Sequence, residues 1–447
     1  MTTYLFLLLA TELIIWAIAY FVSGYNLASP TMISCAVFMV ATLCVIYNID
    51  YWNVNYSFEA YITTSLGLTS MLIGEMAARA LTERGRIGSR SSHVSRRRID
   101  SEAIKVPGLI TFVLVTLDLV CTVYVTYSVM TSGESSLGLM AIGEAKYGED
   151  GGLSGAVNIA YRYTWLLFIV YTFIYFKNKA IMGKRNRGIK YLIPLVMVCI
   201  STFFMGNRAN LMRIVCSCYV FWVFSRAFIG DKKTLSIRKV LSRMLPAFVI
   251  LLVVFYATRE ITKIGSTTGN RTFIDYITYY IGSPVYLFSS YLDNPLAVHP
   301  EPRYFGELTF EGLYNAFGIE ITGQAYTLVG GRSNFAGNVY SWLCRPYNDF
   351  GLLGALLFTS IVYGLISYVL YGPIAHADNE ERRDCIAIVF TYFYYVVFLS
   401  FYYCQVCWAV TPSNILYALA LVVLYKIAKN EVLIVDVSGS QRSTKSW

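Results

Sequence analysis

The chain has 447 residues, of which 56% are apolar and only 14% charged, against about 45–50% and about 25% in soluble domains. Mean hydropathy is +0.53, and the apolar residues come in blocks of about twenty, the length that crosses a bilayer as helix. A soluble multidomain enzyme, a disordered chain and a collagen-like chain are excluded. The net charge of +9 does not point to nucleic acid either, because the basic residues sit in short gaps between the apolar blocks.

Eleven blocks are long enough to span: 3–23, 27–47, 59–80, 108–130, 156–176, 190–206, 208–229, 244–259, 349–371, 385–403 and 410–427. An all-α polytopic membrane protein of about eleven transmembrane helices is therefore expected. The first block has no Lys or Arg before it and no small-residue cleavage site after it, so it reads as a retained span. A further apolar stretch, 274–292, is interrupted by Gly282, Ser283 and Pro284 and reads as interfacial or re-entrant. The chain then divides into spans one to eight (1–259), a large partly helical loop (260–348), spans nine to eleven (349–427) and a tail (428–447).

The segments 79–105, 177–190, 226–243, 382–383 and 426–447 hold 26 of the 36 Lys and Arg. All fall on one side if the spans alternate, and the positive-inside rule makes that side the cytoplasm. The large loop then faces outward, and a stretch of that size is expected to be a folded, functional cap. Its helical pattern from Glu311 to Val329 supports this.

The other ten basic residues are Lys146, Arg162, Arg208, Arg213, Arg259, Lys263, Arg271, Arg303, Arg332 and Arg345. They break the positive-inside trend. Arginine in or beside hydrocarbon is costly and marks pairing or ligand binding, and its planar fork suits phosphate oxygens. Pairing with loop carboxylates or snorkelling to headgroups is the competing account for any single one. As a set they point to a polyanionic substrate at the outer leaflet, with Arg208, Arg271, Arg332 and Arg345 expected to converge on one pocket.

Outer carboxylates include Asp275, Glu307, Glu311, Glu320 and Asp349, and His299 is the only outer histidine. Asp349 stands where the loop re-enters the membrane, so it reads either as an N-cap or as a charge that the chemistry needs. Asp118 and Glu75 are the few mid-depth charges. No metal-ligand spacing and no glycine-rich phosphate loop appears, so no cofactor or metal is expected. Cys404 and Cys407 form a C-x-x-C read as packing or a local disulfide. Tyr279, Tyr280, Tyr286, Tyr291, Tyr304, Tyr314 and Tyr340 crowd the large loop, where aromatic faces suit either an interfacial belt or sugar rings.

The stretch from Phe203 to Tyr371 resembles the Wzy-type O-antigen and oligosaccharide repeat-unit polymerases. The resemblance rests on four motifs: Gly206-Asn207-Arg208, then Asp275 to Tyr291 with its Tyr280-Ile281-Gly282-Ser283-Pro284 centre, then Gly337-Asn338-Val339-Tyr340-Ser341, and finally Tyr347-Asn348-Asp349-Phe350-Gly351-Leu352-Leu353-Gly354. It implies a GT-C-like, lipid-dependent and metal-independent glycosyltransferase of the bacterial inner membrane. Such an enzyme joins undecaprenyl-diphosphate-linked oligosaccharides into surface polysaccharide on the outer face. Its partners would be that lipid-linked substrate and membrane lipids, with a chain-length regulator as a candidate and no nucleic acid. Asp349, Glu311, Glu320 and His299 become the candidates for the catalytic base. Arg208, Arg213, Arg271, Arg332, Arg345, Tyr340 and Asn338 become the candidates for substrate binding. An O-antigen ligase acting on lipid A core, which the outer His299 keeps open, and a polysaccharide flippase or exporter are the alternatives.

Overall fold

A computed structural model describes residues 3–88, 102–132, 154–183, 188–206, 208–230, 272–293, 302–321 and 339–429, with isolated positions between 239 and 256. Every regular element among them is helical. The long helices are α1 (Thr3–Val22), α2 (Pro30–Tyr47), α3 (Phe58–Gly88), α4 (Gly108–Thr131), α5 (Gly155–Met182), α6 (Ile193–Phe204) and α7 (Arg208–Phe228). They continue as α8 (Phe273–Asp293), the short α9 (Glu311–Ala316), α10 (Cys344–Val369), α11 (Glu380–Phe393) and α12 (Pro412–Ala428). Six of these, α1, α2, α4, α5, α7 and α10, are long and apolar enough to cross a membrane, and the shorter stretches 188–204 and 412–428 are apolar too.

Local sequence explains the boundaries. Ser29 accepts from the Met32 amide at 3.2 Å with Pro30 opening α2. Thr411 accepts from Asn414 at 3.3 Å with Pro412 opening α12. Asn379 caps α11 through the Arg382 amide at 2.7 Å, with Glu380 and Glu381 in the first turn, where negative charge suits the helix dipole.

α5 is the central helix, with 67% of its apolar window buried, whereas α1, α4 and α10 show 22–28% buried. The last three expose Leu, Ile and Val side chains in rows, as a bilayer-facing surface does. α3 and α10 make the closest helix pair. A Cβ at Gly74 would overlap the Ser360 carbonyl, and one at Gly67 would overlap the Leu343 side chain, so these small residues set the approach of the two backbones.

The bundle has a cap end and a basic end. At the cap end Tyr4 meets Phe58 with ring centroids 5.5 Å apart, and Tyr347 of α10 donates to Glu59 of α3 at 3.3 Å. At the basic end Lys177 of α5 pairs with Glu380 at 2.6 Å and with Asp384, Tyr425 donates to Asp384 at 2.8 Å, and Lys426 pairs with Glu381 at 3.2 Å.

Several expectations need correction. The stretch 274–292 is one continuous helix, α8, that runs through Pro284. Gly282 lets it press on Cys44 and Val45 near the end of α2. The block 385–403 is not one continuous helix. Its helix stops at Phe393, and a single turn at Tyr395–Phe398 follows. There Ser400 turns its carbonyl to the Trp342 amide at 2.9 Å and its hydroxyl to Ser34 at 3.2 Å. The helical pattern from Glu311 ends at Ala316, because Phe317 and the positive-φ Gly318 close it. Cys404 and Cys407 are free thiols, and Cys407 donates to the Cys404 carbonyl at 2.7 Å. The block 244–259 lies largely outside the described residues. Among the mid-depth carboxylates, Glu12 is fully buried alongside Asp118 and Glu75. Glu12 accepts from Thr42 at 2.9 Å, and Glu75 accepts from the Thr31 amide at 2.9 Å and from Tyr371 at 2.5 Å.

Candidate functional site

Two clusters of charged and aromatic side chains occupy the cap end. The first is built on the start of α10. Its opening turns, from Cys344, lie before Gly351, whose φ of 65° and ψ of −176° break the helix. Arg345 in that segment is 2% exposed. It forms an ion pair with Glu311 of α9, donates to the Leu308 carbonyl at 2.7 Å and lies 4.4 Å over the Tyr403 ring. One turn on, Asp349 accepts from the Leu308 and Thr309 amides at 3.3 and 2.6 Å. Glu307, fully buried, accepts from the Arg303 and Tyr304 amides at 2.5 and 3.2 Å. The segment 302–321 is thus latched to α10 through its backbone, since amides and a carbonyl with no helical partner are satisfied by charged side chains.

Beside this latch lies an aromatic cluster with an acidic edge, in which Tyr291 and Tyr340 are buried and Tyr347 is half-buried. Tyr291 donates to Asn348 at 3.2 Å, and its ring lies 6.1 Å from both Tyr340 and Tyr347. Asp293 ends α8 here. Partial burial, and then the neighbouring Glu59 carboxylate, push its carboxyl up from the ordinary value.

The second cluster surrounds Arg213 of α7. Its guanidinium lies 3.7 Å from the Tyr395 ring centroid, 5.0 Å from Trp165 and 5.8 Å from Tyr392. Nη1 donates to Asn210 at 3.2 Å, Asn210 donates to Tyr161 at 2.9 Å, and the buried Nε has no hydrogen-bond partner. Arg162 of α5 lies 5.2 Å over Tyr417, and Tyr395 is within Coulombic range of both guanidiniums. Tyr392 donates to Asn414 at 3.0 Å and closes the cluster on the α12 side. Among the described residues, neither Arg162 nor Arg213 is paired with a carboxylate. Aromatic faces stabilise a guanidinium by only about 0.5–2 kcal/mol each, and they leave its net charge uncancelled. Such a cluster has the chemistry to receive an anion.

Of the residues singled out from the sequence, Arg345, Glu311, Asp349 and Tyr340 come together in the latch region, and Tyr340 is buried against Tyr291. Asp349 is not an N-cap, because α10 begins at Cys344 and its carboxylate serves amides of another segment. Arg213 lies in the separate aromatic cluster. Glu320 is exposed on the 302–321 segment. His299, Arg271, Arg332 and Asn338 lie outside the described residues, as does the side chain of Arg208, so the four-arginine pocket is untested. The aromatic partners Trp165, Tyr392, Tyr395 and Tyr417 were invisible in a chain with 37 Tyr. The one usable signal was Arg162 and Arg213 themselves, placed against the charge trend. Among the described residues no group of three His, Cys, Asp or Glu is placed to hold a metal. No protein-family model, curated protein or solved structure matches the chain.

Proposed function

We propose that the chain is an oligosaccharide polymerase of surface-polysaccharide assembly, with its cap end on the outer face of a bacterial cytoplasmic membrane. The observation that carries this reading is the pair Arg162 and Arg213, two guanidiniums in apolar helices with no carboxylate partner among the described residues. Keeping uncompensated cations at that depth is costly unless an anion completes them. A lipid diphosphate supplies that anion. Arg345, by contrast, is already neutralised by Glu311, so the diphosphate is assigned to the aromatic cluster and Arg345 to holding the cap.

The reaction then has three parts. A hydroxyl of one lipid-linked unit attacks the anomeric carbon of the growing chain, forming a glycosidic C–O bond. The C–O bond to the diphosphate breaks, and the electron pair leaves with the diphosphate, which the arginines stabilise as its charge develops. The hydroxyl proton passes to a carboxylate acting as base. Glu311 and Asp349 are occupied by the latch. That leaves Asp293, exposed at the end of α8 with its carboxyl raised by partial burial and by Glu59, as the proposed base. The half-buried ring of Tyr347 suits a sugar ring.

The test is direct. Purified protein in nanodiscs, given undecaprenyl-diphosphate-linked repeat units with no nucleotide, should yield a ladder of polymer. Arg213→Gln should lose most of that activity at normal protein level. No ladder from the wild type, or an unchanged ladder from the variant, overturns the reading.

A further inference from the structure

Asn210 stands three residues before Arg213 on α7, the spacing at which an acidic side chain pairs with a guanidinium on a helix surface. It is buried, and its Oδ1 accepts from Arg213 Nη1 at 3.2 Å. A neutral amide therefore fills the place from which a carboxylate would cancel the charge. The hydrogen bonding continues behind it. Asn210 Nδ2 donates to the Tyr161 hydroxyl at 2.9 Å, and that hydroxyl lies 3.1 Å from Thr202 Oγ1. Tyr161 and Thr202 are buried as well.

The direction of this chain is fixed from one end. A guanidinium has donors and no acceptor, so Asn210 must present Oδ1 to it. That turns Nδ2 towards Tyr161, whose oxygen accepts, and the single phenol proton is left for Thr202. A flipped amide would set donor against donor at Arg213, and Tyr161 holds it the right way round. The chain crosses α7, α5 and α6. Its two ends flank the turn at Gly206, whose φ is 59°, so Tyr161 of α5 ties the end of α6 to the start of α7. The result is a guanidinium gripped through Nη1, with its buried Nε unpartnered and no carboxylate among the partners that grip it.

We infer that Asn210 is a positioning residue of the anion site: Tyr161 and Thr202 hold its amide, the amide fixes Arg213, and its neutrality leaves the full positive charge to the ligand. The inference rests on the diphosphate binding proposed above. It adds the residues that set the geometry and the reason that one of them is an amide rather than an acid.

The experiment measures equilibrium binding of inorganic diphosphate to the intact protein in phosphatidylcholine nanodiscs, with the thermal stability of each variant alongside. The wild type should bind and Arg213→Gln should not. Asn210→Asp keeps the size and the acceptor and adds the missing charge, so affinity should fall at least about tenfold while thermal stability holds or rises. Asn210→Ala frees the guanidinium and should cost about tenfold in affinity. Tyr161→Phe should weaken binding on the wild-type background and add nothing on the Asn210→Ala background, because it acts only through Asn210. Thr202→Ser, which keeps the hydroxyl, should bind better than the isosteric Thr202→Val. Wild-type affinity in Asn210→Asp overturns the inference, and that isosteric variant decides it even where Asn210→Ala does not fold. Additive losses from Tyr161→Phe and Asn210→Ala overturn it too, as does a wild type that binds no diphosphate. Adding phosphatidylglycerol to the nanodiscs should leave diphosphate affinity unchanged. Displacement by that lipid assigns the site to a headgroup, which keeps the positioning role and rejects the diphosphate. A non-additive pair without any polymer ladder rejects the polymerase reading alone, and a ladder with additive losses rejects only the positioning role.

Discussion

Glu311→Gln tests whether the cap is held by charge. The substitution keeps the shape and one acceptor but removes the negative partner of a guanidinium that is 2% exposed. Removing one member of a fully buried pair costs about 3–5 kcal/mol. Glu311 keeps 17% of its side-chain surface exposed, Arg345 keeps the Leu308 carbonyl and the Tyr403 face, and glutamine still accepts a hydrogen bond. A hydrogen bond to a charged group is worth about 1.5–3 kcal/mol, and this is the better figure here. At about 1.4 kcal/mol per tenfold, it predicts a roughly 10- to 150-fold loss of protection in the local opening of residues 302–321. The readout is amide hydrogen exchange at Leu308 and Thr309, whose protons sit on Asp349. Amides of α5 around Lys177, at the basic end, serve as internal reference and should not change. The double variant Arg345→Met with Glu311→Leu should recover much of the protection, because an apolar pair can replace a buried ion pair at little cost. Unchanged protection at Leu308 and Thr309 in Glu311→Gln, or no recovery in the double variant, refutes an electrostatic latch.

Two further outcomes follow from the packing and the acidic surface. Gly74→Ala should lower the thermal stability of the purified protein by more than the roughly 1–3 kcal/mol usual for overpacking, because the added carbon meets the Ser360 backbone; Gly108→Ala, with open space around it, is the control, and equal behaviour of the two would refute the close contact. For Asp293 the folded carboxyl is raised by burial and by Glu59, so the folded state binds the proton more tightly than the unfolded one. Its contribution therefore favours folding at low pH and is lost as pH rises through the raised value. Asp293→Asn should remove that part of the pH dependence, which lies above the ordinary carboxylate range, and, if Asp293 is the base, slow polymerisation by on the order of 10²-fold or more; a wild-type pH profile with wild-type rate refutes both roles.

How much of this was legible in the sequence depends on the physics behind each feature. The apolar blocks fix membrane-length helices because each must satisfy its own backbone, and α1, α2, α4, α5, α7 and α10 appear close to where hydropathy puts them. Blocks of mixed aromatic and β-branched residues were less faithful. The run 385–403 has the composition of a span but gives up its helix after Phe393, where Ser400 and Trp342 supply tertiary partners that no window could foresee. Pro284 read as a breaker, yet α8 accommodates it, with Gly282 pressed on α2. In the site, Arg345 and Asp349 were legible as charges out of place. Their partners were not, because Glu311 and the Leu308 and Thr309 backbone are brought in by the fold. Glu12 was missed because a single carboxylate hardly lowers the hydropathy of a helix as apolar as α1.

The break at Gly351 has a consequence of handedness. Its φ of 65° with ψ of −176° belongs to a region that is essentially closed to L side chains, yet nothing lies within 4 Å of where a Cβ would stand. The obstacle to any other residue is therefore purely stereochemical. L-alanine there would straighten α10 and swing Arg345 and Asp349 off the cap, while D-alanine, installed by chemical ligation, would keep the bend, because this φ and ψ are the mirror image of ordinary extended backbone. The orientation of the whole cap hangs on the mirror sense of one achiral position.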